Sequence, residues 1–320
     1  MTMTATHPFR LGVIAEHMHT RDEVITTARR VESAGFATLL LRDHFIAEPF
    51  GNQLAPFPTL ALAAAVTTTL RVGTMVIDND YRHPVMLAKE AATLDLLSGG
   101  RLELGIGAGW ARDEYAAAGM PYDPAGVRIT RFAESVRILK GLWSGEPFRF
   151  TGEHYTISDL TSFPLPTQRP LPLLIGGGAK RMLSLAAREA DIVSVLTSSV
   201  ASGTMSTIVE ERTAPRVAEK IGWIRDAAGS RFGALELSVI ITLIVTDDRE
   251  AAARQYADGL GWHDIAVADV LAMPAVFIGT VGEIATDMRA RREEFGFSYF
   301  VVSDRVLADA ALVVARLAGT

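Results

Sequence analysis

Apolar residues along this chain alternate between two spacings. Dense apolar runs recur at residues 10–14, 37–41, 71–77, 102–106, 171–175, 191–196, 235–245 and 298–302. Short runs of this kind, bounded by turn residues, read as buried strands. Between them the apolar positions spread to every third or fourth residue. Val24, Ala28 and Val31 form such a stripe in 21–34, Leu87, Ala91 and Leu94 in 84–97, and Phe132, Val136 and Leu139 in 127–143. That spacing predicts helices, with Gly35 and the pair Gly99-Gly100 as stops. Further helices are predicted over 58–66, 179–189, 206–228, 249–259, 281–295 and 304–317.

Strands alternating with helices predict parallel βαβ units. Eight repeats are what a closed α/β fold, the (β/α)8 TIM barrel, requires. An open doubly wound sheet is the runner-up. Three stretches exceed an ordinary loop: 43–57, 146–170 and 262–279. The second contains an alternating segment, 148–157, that reads as a hairpin. No shift in composition marks a linker, so residues 1–320 read as one domain with insertions at about 146–170 and about 262–279.

Composition narrows the function. Hydrophobic residues make up 49% of the 320 and charged residues 21%, which predicts a large buried core and excludes a disordered chain. The net charge is −6, so no basic surplus exists to bind nucleic acid. No polybasic run marks a membrane surface. The chain has 0 cysteines, which excludes disulfides, thiolate metal sites and cysteine nucleophiles. The first ten residues lack the apolar stretch of a signal peptide, and the run 237–245 is too short to span a bilayer. A cytoplasmic location is therefore expected.

In a barrel the loops that follow the strands face the active side. The first strand leads to Glu16 and His17, the second to Asp43 and His44, the third to Asp78-Asn79-Asp80, and the fourth to Gly107-Ala108-Gly109-Trp110. His44 is the leading candidate for proton transfer, because imidazole titrates near neutrality. The alternative is a hydrogen-bonded histidine that shapes its loop. Asp43 either orients His44, accepts from a cofactor N–H, or caps the loop backbone. The fifth strand runs into Gly176-Gly177-Gly178, followed by Ala179, Lys180 and Arg181. Glycines before a helix let backbone N–H groups approach an anion, and two cations follow, so a phosphate site is expected. A flexible turn is the plainer reading. The Gly105-Ile106-Gly107-Ala108-Gly109 run lacks the acidic partner of a dinucleotide loop. His17 and His19 lack the carboxylate spacing of a metal site, and no GxSxG elbow is present.

The segment 102–143 carries a Gly-x-Gly-x-Gly-Trp strand end, Glu114-Tyr115, Gly119-Met120-Pro121-Tyr122, Arg128, Arg131-Phe132, Glu134 and Leu142-Trp143. Supporting it are Ala34-Gly35-Phe36, Asp43-His44-Phe45, Val72-Gly73-Thr74, Arg82-His83-Pro84, Leu97-Ser98-Gly99-Gly100-Arg101 and Ile175-Gly176-Gly177-Gly178. In this order the chain resembles the bacterial luciferase-like flavin and deazaflavin oxidoreductases, above all the branch that uses coenzyme F420. The resemblance implies a cofactor ring in the barrel mouth beside Asp43 and His44. Met75 and Val76 would back the ring, across a cis peptide. Gly107, Ala108 and Gly109 would form a wall, with Asp113 beyond it. Gly176, Gly177 and Gly178 would hold the phosphate. Read from the residues themselves, Lys180 and Arg181 are expected to contact it, and Trp110 and His17 are the expected substrate-pocket residues. The resemblance also implies hydride transfer between F420 and a small organic molecule, and a homodimer. FMN with monooxygenase chemistry is the alternative, and a non-catalytic cofactor-binding barrel a second. One departure is visible: Trp110 stands where the family's sugar-phosphate dehydrogenases carry a glutamate acid. Glucose 6-phosphate is therefore not the expected substrate.

Overall fold

The computed structural model describes residues 7–198, 200 and 203–320. Residues 1–6, part of the expected signal-free start, lie outside these. The chain runs β1 (Arg10–Ile14), α1 (Arg21–Ser33), β2 (Thr38–Leu41), α2 (Pro56–Ala65), β3 (Arg71–Thr74), β4 (Ile77–Asp78), α3 (Pro84–Leu97) and β5 (Leu102–Gly107). It continues through α4 (Arg112–Ala117), α5 (Ala125–Leu142), β6 (Phe148–Thr151), β7 (Thr156–Leu160), β8 (Leu173–Gly177), α6 (Lys180–Glu189), β9 (Ile192–Val195) and α7 (Ala214–Ala228). Last come β10 (Glu236–Ile240), β11 (Thr242–Val245), α8 (Arg249–Gly259), α9 (Val267–Ala272), β12 (Val276–Gly279), α10 (Val281–Phe295), β13 (Phe297–Ser303) and α11 (Leu307–Leu317). The parallel strand order is that of a (β/α)8 barrel, as expected.

Two compact units make up the fold. One contains residues 15–32 and 38–176. Here β2 pairs β3 from Thr38 opposite Arg71 to Leu41 opposite Thr74. β5 pairs β3, then β4, then β8, with Leu104 opposite Leu173. These strands are buried on both faces, which is why they read as continuous apolar runs and not as alternating ones. α3 lies against α2 and α5. Leu87, Ala91 and Leu94 of α3 and Phe132, Val136 and Leu139 of α5 are buried, as their spacing predicted. The other unit contains, among the described residues, 7–14, 33–37 and those from 177 onward. In it β1 pairs β13 from Arg10 opposite Tyr299 to Ile14 opposite Ser303, and β10 pairs both β13 and β9.

Four sequence expectations change. The run 71–77 is not one strand: it is interrupted at Met75–Val76, whose peptide is cis as the resemblance implied. The run 235–245 divides at Ile241, and its second piece, β11, pairs β12. β12 lies inside the stretch 262–279 expected to be loop, which also holds α9. Trp262, Val270, Met273, Val276 and Ile278 close a separate apolar cluster with Ala253 and Ala257, so this insertion carries a core of its own. The helix expected from 206 begins at Ala214, with Pro215 in its first turn, where a missing N–H costs nothing.

The hairpin expected within 146–170 is present as β6–β7. Its turn is held by Glu134 of α5, whose carboxylate accepts from the backbone N–H groups of Glu153 at 2.6 Å, His154 at 3.0 Å and Tyr155 at 3.1 Å. Removing that carboxylate leaves three donors without their acceptor. Glu134→Ala should therefore speed amide hydrogen exchange at 153–155 by about tenfold or more while core amides of α5 keep their protection. Unchanged exchange at those three amides would contradict this.

Candidate active site

β2 delivers Arg42, Asp43 and His44 to its carboxyl end. The peptide N–H of Met75 donates to the Leu41 carbonyl at 2.8 Å, which fixes this end against the break in the third strand. His44 is half-buried, and its Nδ1 lies 2.8 Å from Oε2 of Glu114 on α4. Glu114 is fully buried. It also accepts from the Tyr81 hydroxyl at 2.9 Å, the Ile46 N–H at 3.2 Å and the Phe45 N–H. Burial alone would raise its pKa. The hydrogen bonds from His44, Phe45 and Tyr81 outweigh burial and hold the carboxyl below its ordinary range. An ionised carboxylate only accepts, so Nδ1 of His44 carries a proton. Nε2 is left as the ring atom able to exchange one.

Asp43 does something else. Arg82 meets its two oxygens at 2.5 and 3.2 Å, and the Asp78 N–H donates to it at 3.2 Å. Of the three roles open to Asp43, orientation of His44 belongs to Glu114. Asp80 is likewise paired, with Arg131 at 2.8 and 2.7 Å, and Arg131 also binds Asp123. Asp78 is the exception. Its neighbours are the Tyr115 hydroxyl, 2.9 Å from both carboxylate oxygens, and the Asp80 N–H. Burial, together with the charges of Asp80 and Asp43, pushes it from 3.8 to about 7, against the opposing hydrogen bonds from the Asp80 amide and Tyr115. Burial, and after it the charge of Asp78, pushes the Tyr115 and Tyr81 hydroxyls up, so both remain neutral donors. Gly109 is required beside this group. It sits at φ +75°, and a Cβ there would lie 1.9 Å from the Tyr115 hydroxyl.

The residues expected to wall the cofactor lie within this same unit. Met75 is buried and Val76 half-buried at the cis peptide. β5 runs into Ala108, Gly109 and Trp110, and Arg128 fixes this turn by donating to the carbonyls of Ala108 at 3.2 Å and Gly109 at 3.3 Å. Tyr122 donates to the Trp110 carbonyl at 2.9 Å. The rings of His44, Phe50 and Trp110 meet at centroid separations of 5.2, 5.8 and 6.4 Å. Arg42 caps Phe50 and is itself paired with Glu16 at 2.8 Å. Asp113, on the first turn of α4, and His17 are exposed.

Among the residues expected to hold phosphate, Gly176 and Gly177 end β8 and Gly178 follows, all half-buried. α6 begins at Lys180. Its N-cap residue, Ala179, offers no side-chain acceptor, so the first-turn N–H groups suit an anion from outside. Lys180 and Arg181 are exposed at that turn. These donors and cations fit a phosphate group.

The luciferase-like monooxygenase family matches residues 1–285. The chain belongs to that family. It is similar to the F420-dependent glucose-6-phosphate dehydrogenase of Intrasporangium calvum, with 35% identity over 53% of this chain and 52% of that protein. It is also similar to the enzyme of the same name from Tsukamurella paurometabola, with 31% identity over 72% of this chain and 67% of that one. The chain thus spans little more than half to two thirds of these relatives' length. The coenzyme F420-dependent tetrahydromethanopterin reductase of Methanopyrus kandleri shares the fold, with a TM-score of 0.74 at 16% identity over 98% of this chain and 99% of that one.

Glu114, Tyr81 and Arg128 are the residues whose roles sequence reasoning missed. Glu114 and Arg128 stand inside the motif that carries the resemblance, yet nothing local assigns them a partner. Glu114→Gln tests the histidine geometry. The N–H groups of Phe45 and Ile46 would claim the amide oxygen, which turns the NH2 toward His44. Neutral His44 should then change from Nδ1–H to Nε2–H, read from its 15N shifts; an unchanged tautomer would refute the assignment. The raised Asp78 has a stability consequence. The native state keeps this proton between about pH 4 and 7 while the unfolded state has released it. The stabilisation is complete below 3.8 and is lost as pH rises to about 7. Asp78→Asn should flatten that part of the stability-versus-pH curve, measured by urea denaturation.

Proposed function

We propose that this protein is a coenzyme F420-dependent oxidoreductase that moves a hydride between the deazaflavin and a small organic substrate. The observation that carries the reading is His44, held by a buried carboxylate through Nδ1 and walled by Trp110 and Phe50. Relatives named as F420-dependent dehydrogenases support the choice of cofactor. When bound, a deazaflavin supplies a ring carbon that passes hydrides and does not readily activate oxygen.

The chain's own residues would divide the remaining work. Met75 and Val76 back one face of the ring, and Gly107, Ala108 and Gly109 let it approach the main chain. Asp43 is fixed by Arg82 beside it, and Asp113 lies beyond. The glycines 176–178 with Lys180 and Arg181 hold the phosphate. His44 Nε2 takes up or returns the substrate proton, and the Glu114 carboxylate stabilises the imidazolium formed in that step. Trp110, with His17, faces the substrate. An indole there favours an apolar surface and gives no carboxyl for a sugar hydroxyl, so the substrate proposed is not glucose 6-phosphate.

A second reading, an FMN-dependent monooxygenase, is favoured by the family's own description. A phosphate and a tricyclic ring are common to both cofactors. Fluorescence titration of the purified protein with each separates them: micromolar or tighter binding of the deazaflavin and weaker binding of FMN is expected. The reverse order, with oxygen-dependent product formation, would replace this reading by the second. In the loaded enzyme, His44→Ala should lower kcat by about a hundredfold, within the range of lost acid–base catalysis, with little change in cofactor affinity. Undiminished turnover would leave His44 a loop-shaping residue.

A further inference from the structure

α7 carries a lysine where its pattern calls for an apolar side chain. Val217, Ile221 and Ile224 are buried on this helix, and Lys220 among them has a relative exposure of 0%. A buried ammonium is costly unless paired and hydrogen-bonded, and a methionine of similar length would fill the space without that cost. Burial pushes the Lys220 pKa down, and the facing Glu211 opposes that. Glu211 lies 3.1 Å from Nζ and is itself bound to Arg216, which also reaches Glu219; Arg212 is the remaining charge near the ammonium.

The other partner of Lys220 is a main-chain atom. Nζ donates to the carbonyl of Leu196 at 2.9 Å. Leu196 follows β9, and its own N–H donates to the Gly177 carbonyl at 2.8 Å. This peptide stretch is therefore gripped from both sides, by the ammonium and by the glycine segment. Contact continues at Gly178, where a Cβ would lie 3.1 Å from the carbonyl oxygens of both Leu196 and Ser198. Thr197 and Ser198 are buried. The position of residues 196–198 thus limits where Gly177 and Gly178 stand, and Lys220 is the charged group that holds Leu196 from the helix side.

We propose that Lys220, balanced by Glu211, is a positioning residue for Gly177 and Gly178 and so sets the affinity for the cofactor's phosphate. This rests on the reading of the glycine segment as the phosphate site. Lys220 does not touch the phosphate. It fixes the peptide against which the phosphate-binding main chain is packed.

The test uses the whole protein and four probes: the deazaflavin and FMN, each with and without its phosphate. Binding is followed by ring fluorescence for wild type, Lys220→Met, Lys220→Arg and Glu211→Gln, with thermal unfolding recorded alongside. Lys220→Met should weaken the phosphorylated form of whichever cofactor binds by about tenfold, the scale of one lost hydrogen bond to a charged group. It should leave the phosphate-free form unaffected. Lys220→Arg should restore most of the preference, and Glu211→Gln should lie between. Equal losses for both forms, or a lowered melting temperature with the preference intact, would overturn the proposal. If Lys220→Met does not fold, the arginine and glutamine variants decide by the same preference. A wild-type protein that binds both forms equally would refute the phosphate reading itself, a result distinct from a preference that survives the loss of Lys220.

Discussion

A single buried carboxylate ties the candidate site together. Glu114 on α4 takes hydrogen bonds from the ring of His44, the hydroxyl of Tyr81 and two backbone N–H groups of the loop after β2. A carboxylate in this position would be expelled as a charge unless nearly every lone pair were used. Here the donors are numerous enough to keep it ionised. The constraint therefore runs both ways. The loop must deliver its donors for α4 to bury the acid, and the acid in turn sets which nitrogen of His44 is available for chemistry.

Around that centre the charges are sorted by partner. Asp43 has Arg82 and Asp80 has Arg131, each through two hydrogen bonds, so their charges are compensated. Asp78 sits among them with neutral donors and takes the cost of burial itself. The tyrosines beside these acids are kept as hydroxyls by their own burial and by the charge of Asp78. A polar cluster this dense holds the ends of three strand-to-helix connections in fixed relation. The aromatic surface of Phe50 and Trp110 then has a rigid edge to stand on.

Long periodic elements were the most legible. α3, α8 and α10 occupy the residues their spacing predicted, and each has a clear punctuation mark. α3 starts on Pro84, α8 is capped by Asp248, and α10 opens with the Thr280–Glu283 capping box and closes on Gly296 in the left-handed conformation. Elements were misread where a local pattern had two solutions. The apolar run 71–77 carries no mark of its interruption other than the one implied by family resemblance. β12 is four residues long, and it forms because β11 offers an edge, a fact absent from its own sequence.

The alternation of strands and helices, the barrel class and the placing of His44, Asp43, Trp110 and the glycines at the ends of strands were all legible along the chain. Those follow from periodicity, because side-chain direction repeats every two residues in a strand and every 3.6 in a helix. The pairings were decided by tertiary structure alone. His44 and Glu114 are 70 positions apart, Asp43 and Arg82 are 39 apart, and Lys220 and Leu196 are 24 apart. No spacing rule reaches that far. Which carboxylate meets which imidazole or guanidinium depends on how neighbouring strands set their loops side by side, and that is fixed only when the whole sheet has formed.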